Sequence, residues 1–211
     1  INNSNVDSGN GFYVRVESGM PALARQELVM EKNPSPFGDS HGTREMTRAT
    51  CNVTLDACTF IGQTTGYGVA VSNYVPADIV ELDMSNCYVQ NWGWGVVAFG
   101  SGGEVGIEAN NNSLDQNDGF FYASDLLTTT QDATNNWWGT TDYEVLAASI
   151  MGDVDYDPWL NSGADTEPAT PGFQGDFSQM WVGPGGSIQD AIDAVSGSTV
   201  YVSPGTYPGN L

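Results

Sequence analysis

Three aspartates, three tryptophans and two cysteines are the residues of this 211-residue chain whose type and spacing point to chemistry. Asp153, Asp155 and Asp157 alternate in Gly152-Asp-Val-Asp-Tyr-Asp-Pro158. On a strand, alternate side chains share a face, so the three carboxylates would project together and repel one another unless a cation relieved them. Hard oxygen ligands of this kind suit calcium, which is the one cofactor the sequence suggests. Trp92, Trp94 and Trp137 have flat faces that suit sugar rings, and core packing is the competing role for each. Cys51, Cys58 and Cys87 form no CxxC pair, and His41 is the single histidine, so no zinc site is expected. His41 has no nucleophile motif beside it, which argues against a Ser/His/Asp arrangement. The glycine-rich Phe99-Gly-Ser-Gly-Gly103 lacks the lysine of a phosphate-binding loop.

Composition narrows the setting. Lys+Arg is 5 against Asp+Glu 26, a formal net charge of −21. A surface of that sign opposes nucleic acid and anionic membranes as partners. Arg15, Arg25, Lys32, Arg44 and Arg48 are the five basic residues, so residues 49–211 hold none. No apolar run approaches ~18 residues, so no membrane-spanning helix is expected. Charged residues are 15% and Gly is 26, too few charges for a helical bundle and glycine enough for many turns. A self-repelling, cation-attracting surface fits an extracellular or cell-surface place. The chain opens at Ile1 with no signal peptide, and is read as a processed or excised piece.

The elements that would position these residues come from an internal repeat. Phe60, Val89, Leu114 and Trp138 fall in one column, and Cys58, Cys87, Asn112 and Asn136 in another two residues earlier. Short runs such as Val53/Leu55, Val69/Val71 and Val105/Ile107 alternate with period two, which predicts strands. Gly and Asn separate them, as turns with positive φ require. A unit of ~20–25 residues holding several short strands is one coil of a solenoid. Stacked Asn112 and Asn136 suit an amide ladder inside it. Cys58 and Cys87, on adjacent rungs ~4.8 Å apart, suit either a disulfide or two buried thiols. Near the N-terminus, Val6-Asp-Ser-Gly-Asn-Gly11-Phe-Tyr aligns without a gap on Leu114-Asp-Gln-Asn-Asp-Gly119-Phe-Phe.

These features resemble the right-handed parallel β-helix proteins of the pectin-lyase-like class. Asn135-Asn-Trp-Trp-Gly139 followed by Val154-Asp-Tyr-Asp-Pro-Trp-Leu160 is similar to the closing rung of many secreted or surface members. Gly185-Gly-Ser-Ile-Gln-Asp-Ala-Ile-Asp-Ala-Val195 and the following Ser198-Thr-Val-Tyr-Val-Ser-Pro-Gly-Thr-Tyr207 resemble the opening of such a domain. There a short helix caps the coil and a first strand follows. Ile188, Ala191, Ile192 and Val195 share one helical face, and Ser187 is placed to cap it. The expected fold is therefore all-β: a right-handed parallel β-helix solenoid with a short C-terminal capping helix and strand. Residues 1–160 would form the rungs, interrupted by an irregular insert at about 20–50. Met20-Pro-Ala-Leu-Ala-Arg-Gln-Glu-Leu-Val-Met-Glu-Lys32 in that insert reads as a short helix. Residues 161–173, rich in Pro, Gly and Thr, read as a linker. Residues 174–211 read as the cap helix and first strand.

An opening placed after a closing implies a coil begun and not finished. Either the chain belongs to a longer tandem array, or its C-terminal unit docks on the open N-terminal rung of another copy, giving a head-to-tail fibre. Ile1, Val6, Phe12, Ile188, Ile192, Val200, Val202 and Tyr207 would line that interface. A pectate-lyase-like site would need a basic group that the coils after Arg48 lack, and anionic uronates would be repelled. A polygalacturonase-like site would need clustered Asp residues with a nearby His and a basic clamp. The expected function is a non-enzymatic structural subunit of an extracellular fibre or surface array, its partners copies of itself. A glycan-binding surface module with polysaccharide as partner, and a degenerate polysaccharide lyase or hydrolase, are the alternatives.

Overall fold

The period-two runs become strands, and the repeat becomes a rung. The computed structural model describes residues 12–16 (backbone alone), 50–76, 78–100, 102–197 and 199–207. Ile1, Val6, the insert at about 20–50 and Leu211 lie outside the described residues.

Strand β1 (Phe12–Val16) precedes four complete turns. The first is β2 (Thr50–Asp56), β3 (Thr59–Ile61) and β4 (Tyr67–Asn73). The second is β5 (Ile79–Ser85), β6 (Tyr88–Gln90) and β7 (Trp94–Gly100). The third is β8 (Glu104–Asn110), a bridge at Ser113, and β9 (Gly119–Ala123). The fourth is β10 (Gln131–Asp132), a bridge at Trp137, helix α1 (Tyr143–Ala148) and β11 (Ile150–Met151). A fifth begins with β12 (Val154–Asp155) and β13 (Trp159–Leu160). Among the described residues two five-stranded parallel sheets result, ordered β12-β10-β8-β5-β2 and β1-β4-β7-β9-β11, with β3-β6 forming the third side. This is a parallel β-solenoid.

Register is kept from rung to rung. Val53 aligns with Leu82 and Leu82 with Ile107. Phe60 aligns with Val89, and Phe60, Val89, Leu114 and Trp138 are all buried, as their shared column predicted. Strand β1 differs from the ungapped alignment by one residue. Phe12 pairs with Val69, and so lies in register, through Val96, with Phe121 rather than Phe120. A turn that gains or loses one residue between rungs is invisible without a gap, yet it exchanges the two faces of the strand.

The corners explain the Asn and Cys columns. Ala57, Asn86, Asn111 and Asn135 all have positive φ, from 54° to 61°. Asn tolerates that region better than other side-chain-bearing residues. At the next position, Asn136 Oδ1 accepts from Asn112 N (2.8 Å), Asn112 Oδ1 from Cys87 N (2.8 Å), and Cys87 Sγ from Cys58 N (3.3 Å). Asn112 Nδ2 donates back to the carbonyls of Met84 and Asn110, both at 3.0 Å. Gln131 of β10 and Asn117 do the same elsewhere in the interior, satisfying Ile107 N of β8 and Trp92 N. The interior is thus apolar side chains plus amides that answer backbone groups turned inward.

After Leu160 the chain does not leave the solenoid. Residues 161–173, read from composition as a linker, fold with 174–178 along the side formed by β3 and β6. Phe173 is fully buried, its N–H donates to Asn86 O (2.7 Å), and its ring meets Tyr88 edge-on at 5.5 Å. Gly175 N donates to Asn111 Oδ1 (3.0 Å), and Tyr88 OH to Asp165 (3.0 Å). Strand β14 (Gln179–Val182) then pairs antiparallel with β13, and β15 (Thr199–Val202) pairs parallel with β14. Between them α2 (Ile188–Ala194) is capped by Ser187, whose hydroxyl accepts from Asp190 N. Ala191 is buried, and Ala194 and Val195 pack with Leu160, Phe173 and Met180, while Ile192 stays 47% exposed. The unit expected to need a neighbour therefore has one partner in its own chain, strand β13.

The amide column sets the first prediction. Asn112→Ala leaves Cys87 N–H and two interior carbonyls without their partner, and should lower unfolding free energy by about 2–4 kcal/mol. Denaturant titration measures this, and a loss below about 0.5 kcal/mol would contradict the ladder's role.

Candidate functional site

The outer face of the sheet β12-β10-β8-β5-β2 carries a second column that the sequence reading did not pick out. Thr54, Asp83, Glu108, Asp132 and Asp155 follow one another in register, with side chains facing away from the core. Four carboxylates thus stand on consecutive rungs, about 4.8 Å apart. Their spacing in sequence is the repeat spacing itself, so the signal was present. It lies in exposed positions, outside the apolar and Asn/Cys columns that mark the interior. A shallow groove of about 410 Å³ runs along this face, with Asn52, Thr54, Glu81, Asp83, Glu108 and Asp132 among its lining. Residues 49–211, which supply all of these side chains, contain no Lys, Arg or His.

The three aspartates proposed for calcium do not converge. Asp153 accepts from Thr130 Oγ1 (2.9 Å) and Asp155 stands at the end of the acidic column. Asp157 precedes a cis peptide to Pro158 and turns to the C-terminal unit, where Gly183 N donates to it at 2.6 Å. The strand ends at Asp155, so the alternation that would have set all three on one face stops before Asp157. Among the described residues no group of three or more His, Cys, Asp or Glu is placed to hold a metal. Burial pushes the Asp157 carboxyl up to about 6, and the neighbouring Asp155 adds to it, against the lowering effect of the Gly183 hydrogen bond. Asp155 is also raised, by burial first.

The tryptophans separate as well. Trp92 is 1% exposed, and its indole N–H donates to Phe60 O (3.2 Å), so it is a core residue and offers no face to a sugar. Trp137 is half-buried beneath the returning segment: a Cβ on Gly163 would lie 2.4 Å from its indole nitrogen. The fold-back removes the free face that its place beside Trp138 had suggested. Trp94 faces outward on β7 and meets Tyr122 edge-on at 5.7 Å. Tyr122 meets Phe99, and Phe99 meets Tyr67, each at 5.6 Å between ring centres. These four rings occupy one outer face together with Ala70 and Val97, which point away from the main core yet are 1% and 0% exposed. Phe99 and Tyr122 fall on the outward phase of the period-two alternation, whereas Tyr67 has the phase of the inward Val69 and Val71, so alternation alone does not place it on this face.

Cys58, Cys87 and Cys51 are free thiols, so the disulfide alternative is not adopted. Cys87 Sγ lies 3.1 Å from Ser85 O and serves the corner as an acceptor from Cys58 N. Its hydrogen bond with the Cys58 side chain, then burial, hold the Cys87 thiol far above its ordinary range. Of the interface residues, Val200 and Ile188 are half-buried, Val202 is 42% exposed, and Tyr207 donates to Ser203 O. Phe12 lies in β1, at the opposite end from β15. No helix among the described residues is long and apolar enough to cross a membrane. The chain matches no protein-family model, no curated protein and no solved structure.

The thiol geometry gives the second prediction. In the native protein, alkylation at pH 8 should modify Cys51 slowly and leave Cys58 and Cys87 unmodified, because the thiolate is the reactive form and both side chains are buried. All three should react in denaturant. Rapid native labelling of Cys87, read by mass spectrometry, would contradict this arrangement.

Proposed function

We propose that this chain is a structural module of a secreted or surface-exposed array, related to the pectin-lyase-like β-helix proteins, in which solenoid ends stack on one another. The observation that carries the reading is the edge of β15, which no strand pairs among the described residues. It is the last strand of the sheet β13-β14-β15, and Tyr201 and Val202 on it are 37% and 42% exposed, with Ile192 beside it at 47%. An unpaired strand edge with apolar side chains is a template for another strand. Charge distribution supports the polarity: Arg15 lies on β1 at the far end, and the C-terminal unit carries only acids. Copies would therefore meet end to end, basic-bearing end on acidic end.

The test is mass in solution as a function of concentration and salt. With repulsion of a −21 chain screened, mass by light scattering should rise with concentration, and elongated particles should appear in negative-stain images. Val202→Lys places a charge on the edge and should hold the protein monomeric. A wild-type monomer throughout would overturn the reading.

The second reading is a glycan-binding surface, and the four-ring face of Tyr67, Trp94, Phe99 and Tyr122 favours it. Polysaccharide should then slow the wild-type protein in affinity electrophoresis, and Trp94→Ala should lose at least tenfold in affinity while keeping its fold. Equal migration of the two proteins would remove this alternative.

A further inference from the structure

Asn52-Val53-Thr54 and Asn111-Asn112-Ser113 both have the form Asn-x-Ser/Thr with x other than proline. This pattern, an amide with a hydroxyl two residues on, is the acceptor signature for N-linked glycan. A third instance, Asn2-Asn3-Ser4, lies outside the described residues. The fold treats the two described ones differently. Asn52 and Thr54 are exposed on the outer face of β2, with Val53 buried between them. Strand β2 is the last of its sheet, and no described strand pairs with its other edge. Asn52 is in register with Glu81 and, through it, with Gly106, where a Cβ would meet nothing closer than Glu81 Cγ at 3.9 Å. The Asn52 side chain therefore stands at an open part of the shallow groove, beside Glu81 and Asp83. Asn111 is half-buried at a corner with φ 57°. Its amide is engaged twice: Nδ2 donates to Asn86 Oδ1 (2.6 Å) and Oδ1 accepts from Gly175 N (3.0 Å). A Cβ on Gly175 would lie 2.7 Å from that oxygen, so the returning segment lies directly against this amide.

We infer that Asn52 is an acceptor for N-linked glycan, and that Asn111, with the same local pattern, is not. The donor is of the class in which an oligosaccharide is joined through its anomeric carbon to a polyprenyl phosphate or pyrophosphate. In the transfer, Asn52 Nδ2 forms a bond to that carbon. The bond from the carbon to the phosphate oxygen breaks, its electron pair leaving on the phosphate, and one amide proton passes to a base of the transferase. The glycan projects from the sheet face over Glu81 and Asp83, whose carboxylates can accept hydrogen bonds from sugar hydroxyls. Side chains stand perpendicular to a sheet while its pairing groups lie in the plane, so a glycan here leaves the edge of β2 open. The inference rests on the secreted or surface-exposed placement proposed above and not on the stacking of ends.

Transfer in vitro tests it, with the folded full chain, a purified oligosaccharyltransferase and a lipid-linked oligosaccharide, read by peptide mapping in the mass spectrometer. Asn52 should carry the glycan, with occupancy at least about tenfold above that of Asn111, whose amide is released only when the returning segment lifts. Thr54→Val should abolish the modification at Asn52, and Thr54→Ser should retain it. An unmodified Asn52 in a reaction that glycosylates a short Asn-Val-Thr peptide would overturn the assignment, and so would equal occupancy of Asn52 and Asn111. Light scattering keeps the two readings apart: a chain modified at Asn52 that stays monomeric at every concentration loses the array and keeps the acceptor.

Discussion

A solenoid corner turns backbone N–H and C=O groups toward an apolar interior, and each must find a partner there. In this chain a column of side-chain amides meets that need. Asn136, Asn112 and, by sulfur, Cys87 each serve the N–H of the rung before, while the Asn amides return N–H groups to the carbonyls around them. The left-handed residue just before each of them makes the corner sharp enough for this exchange. Once the corners are fixed, strand register follows, and with it every column on the outside. The acidic stack and the four-ring face are therefore consequences of the amide ladder, held at rung spacing by it.

The columns were legible because a solenoid repeats its environment, so residues 29, 25 and 24 apart answer the same physical demand. Phe60, Val89, Leu114 and Trp138 could be read for that reason, and so could the cap formed by Ser187. Trp92 and Trp137 were harder. Whether an indole faces sugar or protein depends on what covers it, and the cover for Trp137 arrives from residues 161–178, with no repeat to mark it. Proline, glycine and threonine say that such a stretch is irregular, but a single buried Phe173 decides that it is docked. Helix α1 was missed because Tyr143–Ala148 is too short to show periodicity. Asp157 escaped because its role is set by Gly183 and Gly186, some 26 residues away in sequence.

Charge acts on a different scale from packing. Four stacked carboxylates on one sheet raise one another's energy only modestly in water, since exposed charges are well screened. Asp157, half-buried at the junction, differs in that its burial holds the carboxyl above the usual carboxylate range.

The path of the returning segment also bears on how the protein carries load. From Leu160 it reaches back to Asn86 in the second turn, then passes Asn111 in the third before entering β14. Tension drawn from the C-terminal side is consequently shared among early and late coils, because Phe173 and Gly175 are tied to rungs well inside the stack. A solenoid whose final coil alone took the pull would unravel like thread from a spool; this one is stitched along its side.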